Sequence, residues 1–181
     1  MKIYFVRHGI TDSNIEKRVM GFRVDEPLNE SGREEAEALA ASMEARFDVL
    51  ITSPLKRAYE TAEALGRRFN LPVTTHAGLH ERDFGELSGK TWDEIRVVTK
   101  GTLSRERSRQ EREIDLSPWG GETKESVRER LVRFIEYVKT EHSGRRIVVV
   151  THAGVLRVLH AMHDRSLAEP IPNLAVFEFE I

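Results

Sequence analysis

Apolar residues gather in four short runs along the chain, at positions 3–6, 49–52, 72–75 and 147–150. The first and last are β-branched or aromatic with almost no polar alternation, the pattern of parallel strands covered on both faces. Between the runs the spacing becomes helical. Ala36, Leu39, Ala40, Met43 and Phe47 form one set, and Leu55, Ala58, Tyr59, Ala62, Leu65 and Phe69 a second. Val127, Leu131, Phe134, Ile135 and Val138 form a third, and Val155, Leu156, Leu159 and Met162 a fourth. The tail alternates with period two: Phe177, Phe179 and Ile181 on one face, Glu178 and Glu180 on the other. That predicts a half-exposed, antiparallel strand at a sheet edge. Strands alternating with helices predict a three-layer α/β/α sandwich around a mostly parallel sheet.

No repeat or linker interrupts this order, so one domain over residues 1–181 is expected. One stretch stands apart, an excursion around residues 93–118. Its centre carries Arg105, Glu106, Arg107, Arg109, Glu111, Arg112 and Glu113. It reads as a lid, or more commonly for such charge runs as a solvated helical face.

Composition narrows the chemistry. Charged residues make up 32% of the chain, yet the formal net charge is only −2. No basic stripe marks a nucleic-acid binder, so attraction for an anion must come from a local cluster. Absence of cysteine excludes disulfides, thiolate metal sites and a cysteine nucleophile. The first apolar run is stopped by Arg7 and is too short for a signal core or a membrane span. A cytoplasmic protein without membrane partner is expected, and a homodimer is compatible with the sequence.

In an open α/β sheet, ligands bind beyond the carboxyl ends of the strands. Arg7-His8-Gly9 follows the first run, and Ser53-Pro54 with Arg57 follows the second. Glu81 lies a few residues past the third, and Thr151-His152-Ala153-Gly154 follows the fourth. Each residue alone has an ordinary explanation as a hydrogen-bonder or surface ion pair. Two histidines, two arginines and a carboxylate on one rim favour a site. Arginine grips phosphate bidentately. Neutral imidazole can accept a phosphoryl group, and a carboxylic acid can protonate a leaving oxygen. Ser53 with Pro54 reads as the start of a helix whose free N–H groups add positive potential. A metal site from His8, His152 and Glu81 or Asp83 is a weaker alternative, because the arginines would repel a cation. The His160/His163 pair reads as a helix face. No nucleotide-binding loop is present.

These residues also carry a family pattern. Arg7-His8-Gly9-Ile10-Thr11-Asp12-Ser13-Asn14 resembles the RHGxTxxN signature of the histidine phosphatase, or phosphoglycerate mutase-like, superfamily. Pro27-Leu28-Asn29 with Ser31-Gly32 resembles PLTxxG, placed before the first long helix. Ser53-Pro54-Leu55-Lys56-Arg57-Ala58 with Thr61-Ala62 resembles SxLxRAxxTA. Leu79-His80-Glu81 through Phe84-Gly85 with Gly89 resembles LxExxFGxxxG. Gly120-Gly121-Glu122-Thr123 and Thr151-His152-Ala153-Gly154-Val155 resemble GGES and SHGGV. The resemblance implies a phosphoglycerate mutase-like fold and a phosphatase with neither cofactor nor metal. It implies His8 as phosphorylated nucleophile and Glu81 as general acid. Arg7, Asn14, Arg57 and His152 would hold phosphate, with Thr11 and Gly21 on the substrate side. Three features depart from the pattern or go unread. Ile10 replaces a common Glu or Gln. Ala153 replaces a common Gly, still small enough for its N–H to meet an anion. The short segment between Glu81 and the GGET stretch matches no motif, so the substrate stays unread.

The short chain looks closer to broad-specificity and α-ribazole-phosphate phosphatases than to glycolytic mutases. The expected activity is hydrolysis of a small phosphomonoester. A cofactor-dependent phosphoglycerate mutase and an inactive phospho-ligand adaptor are the alternatives.

Overall fold

A computed structural model describes residues 1–104, 115–163 and 169–181. The expected strands form one five-stranded sheet: β1 (Lys2–Arg7), β2 (Val49–Thr52), β3 (Val73–Thr75), β4 (Ile147–Thr151) and β5 (Val176–Glu180). Their spatial order is β3-β2-β4-β1-β5. All neighbours are parallel except β5, which runs antiparallel to β1 with Phe5 opposite Phe177.

Among the described residues there are six α-helices: α1 (Asp12–Ile15), α2 (Glu30–Ser42), α3 (Lys56–Phe69), α4 (Trp92–Val98), α5 (Lys124–Glu141) and α6 (Ala153–Met162). Period-two alternation in the buried strands divides two cores. Ile3, Phe5, Ile147 and Val149 point to α5 and α6, packing on Leu131, Phe134 and Leu156. Val6, Val148 and Val150 point to α2 and α3, packing on Ala36, Ala40, Ala58 and Leu65. The long apolar runs of β1 and β4 are therefore explained by helices on both faces. Among the described residues no helix is long and apolar enough to cross a membrane.

The first helical set needs correction. α2 starts at Glu30, capped by Asn29, and ends at Ser42 with Met43 as its C-cap. Ser31 and Gly32 thus lie inside its first turn, not before it. Gly32 is required there by close packing, since a Cβ would meet the Ile10 carbonyl oxygen at 2.1 Å. This contact seats α2 against the loop that follows His8. Phe47 lies beyond the helix but still buries itself, edge-on to Tyr4 at 5.2 Å and to Phe69 at 5.0 Å.

Residues 105–114, the charged centre of the excursion, lie outside the described residues. Its flanks belong to a third, smaller core. Ile95, Leu103 and Leu116 pack with Val19 and Leu87, and Phe84, Trp92 and Trp119 cover them.

Candidate active site

β1 and β4 lie side by side in register, Arg7 opposite Thr151. Their chains then leave toward opposite faces, β1 toward α2 and β4 into α6. A crevice opens between such carboxyl ends. The residue after each strand is a histidine, so the register alone brings His8 and His152 together, with ring centroids 5.1 Å apart.

A cavity of about 210 Å³ occupies this crevice. Of the residues expected from sequence, Arg7, His8, Asn14, Gly21, Arg57, Glu81 and Ala153 line it. Thr11 does not. Its side chain is fully buried, and its hydroxyl caps α1 by accepting from the Asn14 N–H. His152 lies behind His8, also fully buried, with Nε2 2.7 Å from the Ser53 hydroxyl oxygen.

The His8 ring has a defined orientation. Nδ1 is 2.7 Å from the Gly9 carbonyl oxygen. A carbonyl can only accept, so Nδ1 carries the proton and Nε2 of the neutral ring has a free lone pair. Burial holds both imidazoles well below their usual pKa, and the Arg57 charge pushes the same way.

Arg57 is 0% exposed. It donates to the carbonyls of Val24 at 2.8 Å and Gly21 at 2.9 Å, with no carboxylate in hydrogen-bond contact. Arg7 donates to the Ile171 carbonyl. Among the described residues, Nε of Arg7, Nε of Arg57 and Nδ1 of His152 are buried without a hydrogen-bond partner. Burial pushes the Arg7 guanidinium down to about 10, opposed by Glu81. Buried guanidinium groups without an ion partner are costly. A bound anion would supply the missing charge and acceptors.

Glu81 reaches the rim from the other side. Its Oε1 accepts from the Arg82 N–H at 2.8 Å and its Oε2 from the Gly154 N–H at 3.2 Å. A Cβ on Gly154 would lie 2.3 Å from Oε1, so the glycine at the start of α6 makes room for this carboxylate.

One expectation fails at α3. Ser53 is not its N-cap, which is Leu55. The Lys56 N–H in the first turn is taken by Asp25 Oδ1 at 2.7 Å. That helix end is therefore occupied by a carboxylate from another loop. Ser53 instead links His152 to the chain, its oxygen accepting from the Leu55 N–H at 3.3 Å.

The sequence reading missed the outer wall, where Arg18, Met20, Phe84, Trp92, Arg157 and Ile171 line the same cavity. Arg157 was findable, since it lies one helical turn beyond Ala153 and is the one Lys or Arg of a mostly apolar helix. Trp92 opens the short helix α4, and the others come from irregular segments with no periodic signal. The alternative metal set fails on geometry. Among the described residues no group of three or more His, Asp or Glu is arranged to hold an ion.

Comparison with known proteins gives the family of the chain. The profile of the histidine phosphatase superfamily (branch 1) matches residues 3–179. The chain belongs to that superfamily. It is 34% identical over 162 residues to the metal-independent phosphoserine phosphatase of Arabidopsis thaliana, covering 88% of this chain and 67% of that protein. It is also 34% identical over 188 residues to a 2,3-bisphosphoglycerate-dependent phosphoglycerate mutase of a Methylobacterium species, covering 97% and 86%. A solved structure of mycobacterial glucosyl-3-phosphoglycerate phosphatase in complex with VO3 superposes with a TM-score of 0.85 at 27% identity, covering 98% and 90%.

Proposed function

We propose that this protein hydrolyses small phosphomonoesters through a phosphohistidine on His8. The observation that carries the reading is the pairing of a bare imidazole Nε2 with buried guanidinium groups that lack anionic hydrogen-bond partners, in one cavity.

The chemistry follows from the placement. Arg7, Arg57 and His152 bind the phosphoryl oxygens, with Asn14 and the Ala153 N–H as further donors. The His8 Nε2 lone pair attacks phosphorus, and the bond to the leaving oxygen breaks. Protonated Glu81 gives that oxygen its proton. In the second half, Glu81 as carboxylate takes a proton from water. The oxygen of that water attacks phosphorus, the P–N bond breaks, and His8 regains its lone pair. Gly21 acts through its carbonyl, which orients Arg57. Thr11 acts indirectly, as the cap that sets Asn14. The guanidinium groups supply positive charge at the oxygens where other phosphatases use a cation, and neutral His152 adds only a hydrogen-bond donor. An intact nucleophile and acid favour an enzyme over an adaptor, which would need only the arginines.

A panel of phosphomonoesters assayed for released phosphate with EDTA present tests the reading. Activity should persist undiminished in the chelator, and an acid-labile, base-stable phosphoenzyme should form. His8→Ala should abolish both turnover and label. Activity lost in EDTA and restored by a divalent ion would overturn the proposal, as would labelling that survives in His8→Ala.

A further inference from the structure

Three oxygens of the site converge on a side chain that no motif marks. Asn173 lies in the segment between α6 and β5. Its Nδ2 is 3.0 Å from the His8 carbonyl oxygen, 3.0 Å from the Gly9 carbonyl oxygen and 3.1 Å from Asn14 Oδ1. The two carbonyls can only accept, so the nitrogen end of the carboxamide must face them. Two protons serve three acceptors, and one proton is shared.

At Gly9 the consequence is a saturated carbonyl. Its oxygen accepts from His8 Nδ1 at 2.7 Å and from Asn173 at 3.0 Å. Two lone pairs take two donors. Asn173 fixes the carbonyl, and the carbonyl fixes the imidazole proton on Nδ1.

At Asn14 the same carboxamide sets direction. Asn14 Oδ1 accepts from the Thr11 N–H at 3.2 Å and from Asn173 at 3.1 Å. With both lone pairs used, Asn14 has its NH2 end left for an anion in the cavity that it lines. The chain is bent to place this side chain. Leu174, the next residue, holds φ at +61°, a left-handed conformation that a branched residue rarely adopts. Its N–H meets the Arg7 carbonyl oxygen at 3.1 Å. Two residues before Asn173, the Ile171 carbonyl accepts from the Arg7 guanidinium. One short segment thus touches Arg7, His8, Gly9 and Asn14, all more than 150 residues away in sequence.

We propose that Asn173 is a positioning residue for phosphoryl transfer. It locks the His8 tautomer through the Gly9 carbonyl and turns the donor end of Asn14 toward the phosphoryl oxygens. The assignment deepens the phosphatase reading and rests on it for the role of His8.

The test reads the tautomer directly. Protein labelled with ¹⁵N-histidine, free of substrate, is examined by NMR in the wild type, Asn173→Ala and Asn173→Asp. Wild-type His8 should carry its proton on Nδ1 with Nε2 bare. Both variants should give a mixture of tautomers. Their kcat/KM should fall about 10- to 100-fold, the scale expected when buried acceptors lose a donor. Asn173→Asp has nearly the same volume, so a space-filling role would tolerate it. The aspartate only accepts, and a positioning role would not. Wild-type His8 protonated on Nε2 overturns the proposal. So does a His8 tautomer unchanged in both variants, whatever their rates. The measurement needs no turnover, so its failure is distinct from a failure to hydrolyse phosphomonoesters.

Discussion

His8 and His152 sit in contact beneath two guanidinium groups, and burial is the main reason both stay neutral. Neutrality suits a nucleophile, because a protonated imidazole has no lone pair to give. It also ties stability to pH. In the unfolded chain each ring takes a proton near pH ~6.5. In the native state it does so only at much lower pH, so below ~6.5 the unfolded state binds more protons and is favoured. His76 and His80, also lowered mainly by burial, add to the same slope. The contribution is complete above ~6.5 and is lost as pH falls toward the depressed native values. The urea midpoint should be nearly flat between about pH 8 and 7 and should fall steadily from about 6.5 to 5. His8→Ala should make that fall shallower by about one proton, ~1.4 kcal/mol per pH unit. A midpoint that does not change over this range would mean that the rings bind protons in the native protein as readily as in the unfolded chain.

The elements were legible where periodicity and burial agree. β1 and β4 read correctly because both faces are covered and the runs are continuous. Phe47 was misplaced because an aromatic that enters the core from a loop keeps helical spacing with Ala36, Ala40 and Met43. The cap of α3 was misread for a different reason. Asp25 lies 31 residues before Lys56, and no local pattern reveals a tertiary capping partner. The motif residues were legible as a set, yet what holds them was not. Glu122 and Arg130 are an example. Arg130 Nε and Nη2 grip the two Glu122 oxygens at 2.9 and 3.1 Å, and its Nη1 donates to the Gly78 carbonyl at 2.6 Å. Glu122 also exchanges hydrogen bonds with Asp83, and its carbonyl accepts from Arg82 Nε at 2.7 Å. The pair therefore pins both ends of the loop that carries Glu81 to α5. Burial raises the Glu122 carboxyl, but the hydrogen bond and charge of Arg130 outweigh it and leave the group below its usual value. The side chains are only 9% and 13% exposed, so removing one partner strands a buried charge. Arg130→Ala should cost about 3–5 kcal/mol in chemical denaturation. Arg130→Met with Glu122→Leu should recover much of that loss, since neither charge is left unpaired. A loss below about 1 kcal/mol for Arg130→Ala would mean that the pair behaves as a surface contact.

At the scale of the whole molecule, the unanswered choice is what meets the phosphohistidine. Relatives of equal identity carry the names of a phosphatase and a mutase, and both reactions use the same centre. A mutase must exclude water and retain a bisphosphate while it reorients, which requires a sealed cover and a second anion clamp. The wall built on Ile95, Leu103 and Leu116 is apolar, but it forms only one side of the cavity. The charged centre of the excursion, residues 105–114, contains in its sequence one apolar residue, Ile114, and four arginines against three glutamates. Such a sequence has little with which to shed water, and its acidic members offset its arginines as an anion clamp. Arg18, on the outer wall, is already engaged by Glu16 at 2.6 Å. Water should therefore reach the phosphoenzyme readily. Incubated with 3-phosphoglycerate and primed with catalytic 2,3-bisphosphoglycerate, the protein should release phosphate and form negligible 2-phosphoglycerate. Isomerisation outrunning phosphate release by about an order of magnitude, a difference of ~1.4 kcal/mol between the two fates of the intermediate, would make the protein a mutase. The roles proposed for His8, Arg7, Arg57 and His152 would be unaffected.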